Sequence, residues 1–148
     1  YVFGKKAKIV LAENAAPYIF GYVALIDISI RGNKERTWRK SFDTFTPIGP
    51  WIVTADEIKN PNDLKMTLWV NDEVQQDGGT KHLIYDCYKC FELACNNMTL
   101  LSSDIIATGT PEGVGPIVEG DTVKIKIEHI GEFSVKVELS KKEVIYSN

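Results

Sequence analysis

Asp27 is the residue whose type and setting point most directly to chemistry. It lies inside the run Tyr22-Val23-Ala24-Leu25-Ile26-Asp27-Ile28-Ser29-Ile30, which reads as a strand buried on both faces. Alternation puts Ala24, Ile26, Ile28 and Ile30 on one side, and Val23, Leu25, Asp27 and Ser29 on the other. A carboxylate among such neighbours is costly unless it is paired, hydrogen-bonded or bound to a cation. Two chemistries meet that cost: an ion pair with Arg31 or Lys40, or oxygen ligation of a hard divalent cation. One carboxylate does not make a metal site, so both readings stand on the residues alone.

Lys40 opens Lys40-Ser41-Phe42-Asp43-Thr44-Phe45, where aromatic residues bracket polar ones. Solvated at the surface it is structural; partly buried near a metal, it stabilises a developing oxyanion. The loop Thr108-Gly109-Thr110-Pro111-Glu112-Gly113-Val114-Gly115 is crowded with residues that permit unusual backbone angles. Its N–H groups and threonine hydroxyls can line an anion site, although most glycine-rich loops are only turns. It lacks the Gly-Lys-Ser/Thr ending of a P-loop. His82 and His129 fall in a polar connection and a hairpin turn, where exposed structural roles are expected. Trp38, Trp51 and Trp69 are expected to pack in the core or at its edge.

Cys87 and Cys90 form a C-x-x-C pair, but no second pair or nearby histidine completes a structural zinc site. The spacing Cys87, Cys90, Phe91, Ala94, Met98 follows the apolar stripe of an amphipathic helix, so buried free thiols are expected. A reducing, cytoplasmic setting follows from that usage.

Mostly strands must position these residues. Ala7–Ala12 is a short strand candidate, and 13–18 a turn or one helical turn. Residues 31–39 read as a polar loop, and 41–50, with two prolines and a glycine, as irregular chain. Met66–Val70 and Val74–Gln76 flank Asn71-Asp72-Glu73, a hairpin turn. Gly78-Gly79 breaks the chain ahead of a helix with Asp86 as its N-cap and Asn96-Asn97 near its end. Ile105–Ala107 is a short strand before the glycine-rich loop. At the C-terminal end Val123, Ile125 and Ile127 alternate with polar residues. Phe133, Val135, Val137 and Leu139 do the same beyond His129-Ile130-Gly131, so an antiparallel pair with one wet face is expected. The fold class is mainly β with one substantial helix (α+β).

A length of 148 residues fits one domain of roughly 100–200 residues. With 44% hydrophobic and 25% charged residues, the composition is that of a globular protein rather than a disordered one. The net charge of -3 gives no electrostatic ground for a nucleic-acid partner. No apolar run reaches the roughly 18 residues of a membrane span.

Several motifs together resemble the fumarylacetoacetate hydrolase family. Lys40-Ser41-Phe42-Asp43-Thr44-Phe45 with Pro47-Ile48-Gly49-Pro50-Trp51-Ile52-Val53 is similar to its lysine-centred block. Leu68-Trp69-Val70-Asn71 and Asp77-Gly78-Gly79-Thr80 resemble further family steps. The most specific match is Met98-Thr99-Leu100, leading through Asp104-Ile105-Ile106 into the loop from Thr108 to Gly115. The resemblance runs over essentially the whole chain.

It implies a mixed β-roll or β-sandwich domain over 1–148, usually dimeric, that binds Mg²⁺ or a similar cation such as Mn²⁺ or Ca²⁺. Asp27 matches the family's metal-binding aspartate, and Lys40 its catalytic lysine. Thr110 matches the threonine that holds a substrate carboxylate, with Arg31 as a second substrate-binding residue. The implied partner is a small carboxylic acid, a 2-oxo or 2-hydroxy-dienoate whose oxygens chelate the cation. The cation then acts as a Lewis acid toward enolate charge. Hydrolysis of acylpyruvates, or isomerisation and decarboxylation in aromatic catabolism, are the implied reactions. A sugar-acid dehydratase and a non-catalytic relative are the alternatives. The resemblance also places a Glu-x-Glu metal motif and a His-Glu lid segment before Tyr1, so part of the site is expected to be missing from these 148 residues. Between Arg31 and Lys40 the chain is shorter than the family's usual connection, and the glutamine expected after the arginine is absent. Asp27, Lys40 and Thr110 should still converge on one cleft, with the first two within about 12 Å.

Overall fold

A computed structural model of the chain describes residues 1–139. Two antiparallel sheets and one helix enclose a shared core. The smaller sheet runs in the order β1 (Val2–Phe3), β2 (Ile19–Leu25), β3 (Ile48–Thr54). In the larger the order is β5 (Glu73–Gly79), β4 (Lys65–Val70), β6 (Thr122–Ile127), β7 (Gly131–Lys136). The helix α1 spans Cys87–Asn97. This is the expected β-rich, one-helix class.

Local chemistry accounts for the hairpins and the helix start. Asn71 and Asp72 take φ of 51° and 69°, as a two-residue turn between twisted strands requires, so β4 and β5 pair directly. His129 adopts φ 61° in the turn joining β6 to β7, and Ile125 sits opposite Phe133 in their ladder. Val123, Ile125 and Ile127 are buried while Lys126 faces water, the expected single wet face. At the helix start the Asp86 carboxylate accepts the Lys89 N–H at 2.7 Å, which satisfies one of the unpaired amides of the first turn.

The core joins both sheets to α1. Phe91 is fully buried, with its ring 5.2 Å from that of Phe3 and 5.7 Å from that of Tyr18. Ile19, Tyr22, Ala24, Val53, Ile125 and Ile127 belong to the same cluster.

Tertiary packing overrides several expectations. The strand read over Tyr22–Ile30 is displaced to Ile19–Leu25, because its antiparallel partner β3 begins only at Ile48, opposite Leu25. Beyond it, the Ile26, Ile28 and Ile30 N–H groups donate to the carbonyls of Pro47, Phe45 and Arg39, each at 3.0 Å. Burial is confined to the Tyr22, Ala24 and Ile26 side, and Asp27 is exposed. Residues 48–50, read as irregular, are the first residues of β3, with a cis Gly49-Pro50 bond. Pro50 is tolerated there because β3 is an edge strand.

Ala7–Ala12 is no strand. Ala7 pairs with Leu100 alone, and Cys95 and Glu92 of α1 bind the backbone of Ile9, Val10 and Ala12. Ile105 makes a single bridge to Val2. The helix is also rotated from the expected stripe: its buried positions are Cys87, Phe91 and Cys95, so Cys90 is half-buried and Met98 exposed. Trp38 and Trp51 are exposed, and only Trp69 is half-covered, beneath the Lys124 ammonium.

Candidate functional site

Lys40 ends a short 3-10 turn, Trp38–Lys40, that local hydrogen bonds shape. The Glu35 carboxylate accepts the Trp38 N–H at 3.1 Å, and the Ser41 hydroxyl donates to the Thr37 carbonyl at 2.6 Å. Ring contacts from Trp38 to Phe42 (4.9 Å) and from Phe42 to Phe45 (5.1 Å) carry the turn back toward β2. There Phe45 accepts the Ile28 N–H. The result is a direct ion pair in which the Lys40 ammonium donates to Asp27 Oδ2, both side chains being 42% exposed. Of the two partners open to Asp27, the fold selects Lys40. Arg31 lies exposed in the loop that follows.

Thr110 is positioned by a different device. The loop from Thr108 to Gly115 lies along β5, and two glycines permit that approach. A Cβ on Gly113, whose φ is +94°, would stand 1.8 Å from the Gln75 carbonyl oxygen. One on Gly78 would stand 2.9 Å from Pro111 Cβ. Gln76, between them, donates through Nε2 to Thr110 Oγ1 at 2.9 Å and to the Pro111 carbonyl at 2.8 Å. Thr110 thereby borders a cavity of about 120 Å³, whose walls include Tyr22, Leu64, Met66, Cys87 and Ile127.

Burial pushes the Cys87 thiol up to about 11, so that wall is uncharged at neutral pH. Burial likewise raises the Tyr22 phenol. Exposed His82 stands at the cavity wall, whereas His129 lies 3.7 Å from Glu128 at the surface.

The structure therefore brings Asp27 and Lys40 into contact, well inside the expected separation, and puts Thr110 on the cavity. It does not put the pair on that cavity's wall. Val23 does line it, four residues before Asp27 on the same alternating side, which at about 3.3 Å per extended residue is roughly 13 Å. Gln76 went unrecognised in the sequence. Its one signal is a polar side chain opposite Leu68 in the β4–β5 register.

A divalent cation such as Mg²⁺ wants about six oxygen donors, usually including carboxylates. Among the described residues no group of three or more His, Cys, Asp or Glu side chains can hold a metal ion. Asp27 offers one carboxylate, whose Oδ2 is already engaged by Lys40. These residues alone do not furnish a cation site.

The chain is thus an antiparallel β-rich domain that carries a lysine–carboxylate pair and a threonine beside a mainly apolar cavity. The match to a family model is specific: residues 1–138 fit the fumarylacetoacetate (FAA) hydrolase C-terminal model, and the chain belongs to that family. It is 44% identical over 136 residues to the maleylpyruvate hydrolase of Aquipseudomonas alcaligenes, covering 92% of this chain and 47% of that protein. The bifunctional isomerase/decarboxylase of 4-hydroxyphenylacetate degradation from Salmonella dublin is 38% identical over 135 residues, 88% of this chain and 32% of the relative. A maleylpyruvate hydrolase of Sphingobium sp. SYK-6, solved with manganese(II) and pyruvate, superposes with a TM-score of 0.89 at 46% identity. That superposition covers 93% of this chain and 51% of the other. The chain spans about half the length of that curated hydrolase, at 47%.

Proposed function

We propose that this chain is a catalytic domain of a divalent-metal-dependent enzyme acting on 2-oxo or 2-hydroxy-dienoate acids. Hydrolysis of a C–C bond in an acylpyruvate is the leading reaction, with isomerisation or decarboxylation of a related acid in the same class. The observation that carries the reading is Thr110, its hydroxyl ordered by Gln76, at the edge of a small apolar cavity. A carboxylate accepts from that hydroxyl, while Leu64, Met66 and Ile127 take the hydrocarbon part. The volume, about 120 Å³, lies below the roughly 300–1,000 Å³ of drug-sized pockets and suits a short acid or one end of a longer one.

Lys40 is the catalytic cation in this reading. Its ammonium is oriented by Asp27 and stabilises negative charge on a substrate oxygen as it develops. Asp27 contributes one ligand to the metal, and Arg31 a second contact to the acid. The manganese and pyruvate bound by the Sphingobium relative support a divalent ion and a 2-oxo acid as partners, with Mg²⁺ our choice of metal.

A cytoplasmic, homodimeric protein completes the proposal. Three free cysteines support the compartment. Exposed Ile48, Trp51 and Ile52 on the edge strand β3 support a partner subunit there.

Turnover of acylpyruvates, oxaloacetate and a carboxymethyl-hydroxymuconate by the full-length protein that carries this domain, with Mg²⁺ in excess, tests the function. At least one should be consumed, and Lys40→Ala should abolish its consumption. Failure of the whole panel, or full activity in Lys40→Ala, rules the reading out.

A further inference from the structure

We propose that Gln76 is a positioning residue that fixes the Thr110 hydroxyl with its proton available to a ligand, so that this end of the cavity selects a carboxylate over its ester. The inference rests on the reading of the cavity as the seat of an organic acid.

Gln76 is the one buried polar side chain among the described residues, at 9% exposure, and a buried carboxamide must find partners. The two carboxamide ends are distinguished by Pro111. A carbonyl oxygen only accepts, so the atom 2.8 Å from the Pro111 oxygen is the nitrogen. The second proton of that nitrogen goes to Thr110 Oγ1 at 2.9 Å. Both protons of the amide are then spent, and Thr110 has already accepted a hydrogen bond.

What remains to Thr110 is its own proton and one lone pair, and toward an acceptor-only group such as a carboxylate only the proton can be used. Within the protein it reaches Gln76 Oε1 at 3.3 Å, beyond the 2.5–3.0 Å of a good O–H···O bond. That contact is readily exchanged for a ligand oxygen. A carboxylate is acceptor-only, and an O–H donor to it makes a charge-assisted, shorter bond. An ester oxygen accepts too, but carries no charge and forms the weaker bond. The close approaches at Gly78 and Gly113 seat the loop directly on β5, which keeps Thr110 beside Gln76.

Changing Gln76 should therefore alter selectivity rather than only stability. Gln76→Glu places an acceptor where the nitrogen was. The Thr110 proton turns to it, away from the cavity, and its charge repels a substrate carboxylate. Gln76→Leu keeps the bulk and leaves the hydroxyl free to rotate.

The test compares an acylpyruvate with its methyl ester on the full chain, using wild type, Gln76→Glu, Gln76→Leu and Thr110→Val. In wild type the acid should be preferred in kcat/KM. Gln76→Glu and Thr110→Val should each lose roughly tenfold or more of that preference through KM, and Gln76→Leu should fall between. Loss in Thr110→Val with wild-type preference in both Gln76 variants overturns the role of Gln76 while the cavity reading stands. Unchanged preference in Thr110→Val instead sinks the cavity reading. A second measurement needs no turnover and no variant of Gln76: in wild type, both carboxamide protons should exchange slowly by NMR, and Thr110→Val should shift one more than the other. Rapid exchange of both, as for an exposed glutamine, overturns the proposal.

Discussion

Lys40 donates to Asp27 although the two are 13 residues apart and neither lies in a regular strand or α-helix. With both side chains 42% exposed, water screens the pair, and such contacts contribute about 0–1 kcal/mol. The pair is therefore cheap to open, as the roles proposed for both groups require.

Stability and activity should separate at these positions. Lys40→Met and Asp27→Asn are expected to change unfolding free energy by less than about 1 kcal/mol. Both should lower kcat/KM by roughly 100-fold or more, the scale of losing an electrostatic stabiliser. Urea titration beside steady-state kinetics checks this, and a large loss of stability with activity intact would show the pair to be structural.

Phe91 should behave in the opposite way. Its ring is fully buried between Phe3 and Tyr18, so Phe91→Ala leaves a cavity at the junction of α1 with the small sheet. A loss of about 3–5 kcal/mol is expected, read from the shift of the denaturant midpoint at constant slope.

Thiol labelling should resolve the three cysteines by burial. Half-buried Cys90 is expected to react first with a disulfide reagent at pH 8. Cys87, buried and pushed up to about 11 by desolvation, should react only as the protein unfolds, and buried Cys95 with it. Rapid modification of Cys87 in the native protein, located by mass spectrometry, would contradict this.

Glu92 supplies a pH dependence. The Lys89 ammonium, and after it the Ala12 N–H, holds its carboxyl below the usual carboxylate range. A folded value below the unfolded one stabilises the protein above the unfolded value, about 4.3, and that contribution fades as pH falls through the folded value. Wild type should therefore exceed Glu92→Gln in stability at pH 7, and the gap should narrow toward pH 3. Denaturant midpoints at pH 7, 5 and 3 measure it; a constant gap contradicts the assignment.

The polypeptide of residues 1–148 should bind Mg²⁺ only weakly, because among the described residues no group of three or more His, Cys, Asp or Glu side chains can hold the ion. Calorimetry should show no micromolar site. A micromolar site that survives Asp27→Ala would place the metal elsewhere.

The sequence by itself determined what neighbouring residues decide. Asn71-Asp72 closes the β4–β5 hairpin through backbone angles these residues tolerate, and Asp86 caps α1 three residues ahead of the amide it binds. The period-two pattern on both sides of His129 carries its own pairing. These signals lie within one turn or one hairpin, and long-range contacts do not overturn them. The family motifs were equally legible, since they are strings of residue types. Only the tertiary structure decided how far β2 extends, because that depends on where β3, more than twenty residues on, begins to pair. It also turned α1 so that Cys95 rather than Cys90 is buried in the core. The choice of Lys40 over Arg31 for Asp27, and the reach of Gln76 to Thr110 across 34 residues, belong to it too. A hydrogen bond or ion pair has a range of a few ångströms, so which groups meet is settled by packing, and residue types name only the groups that can.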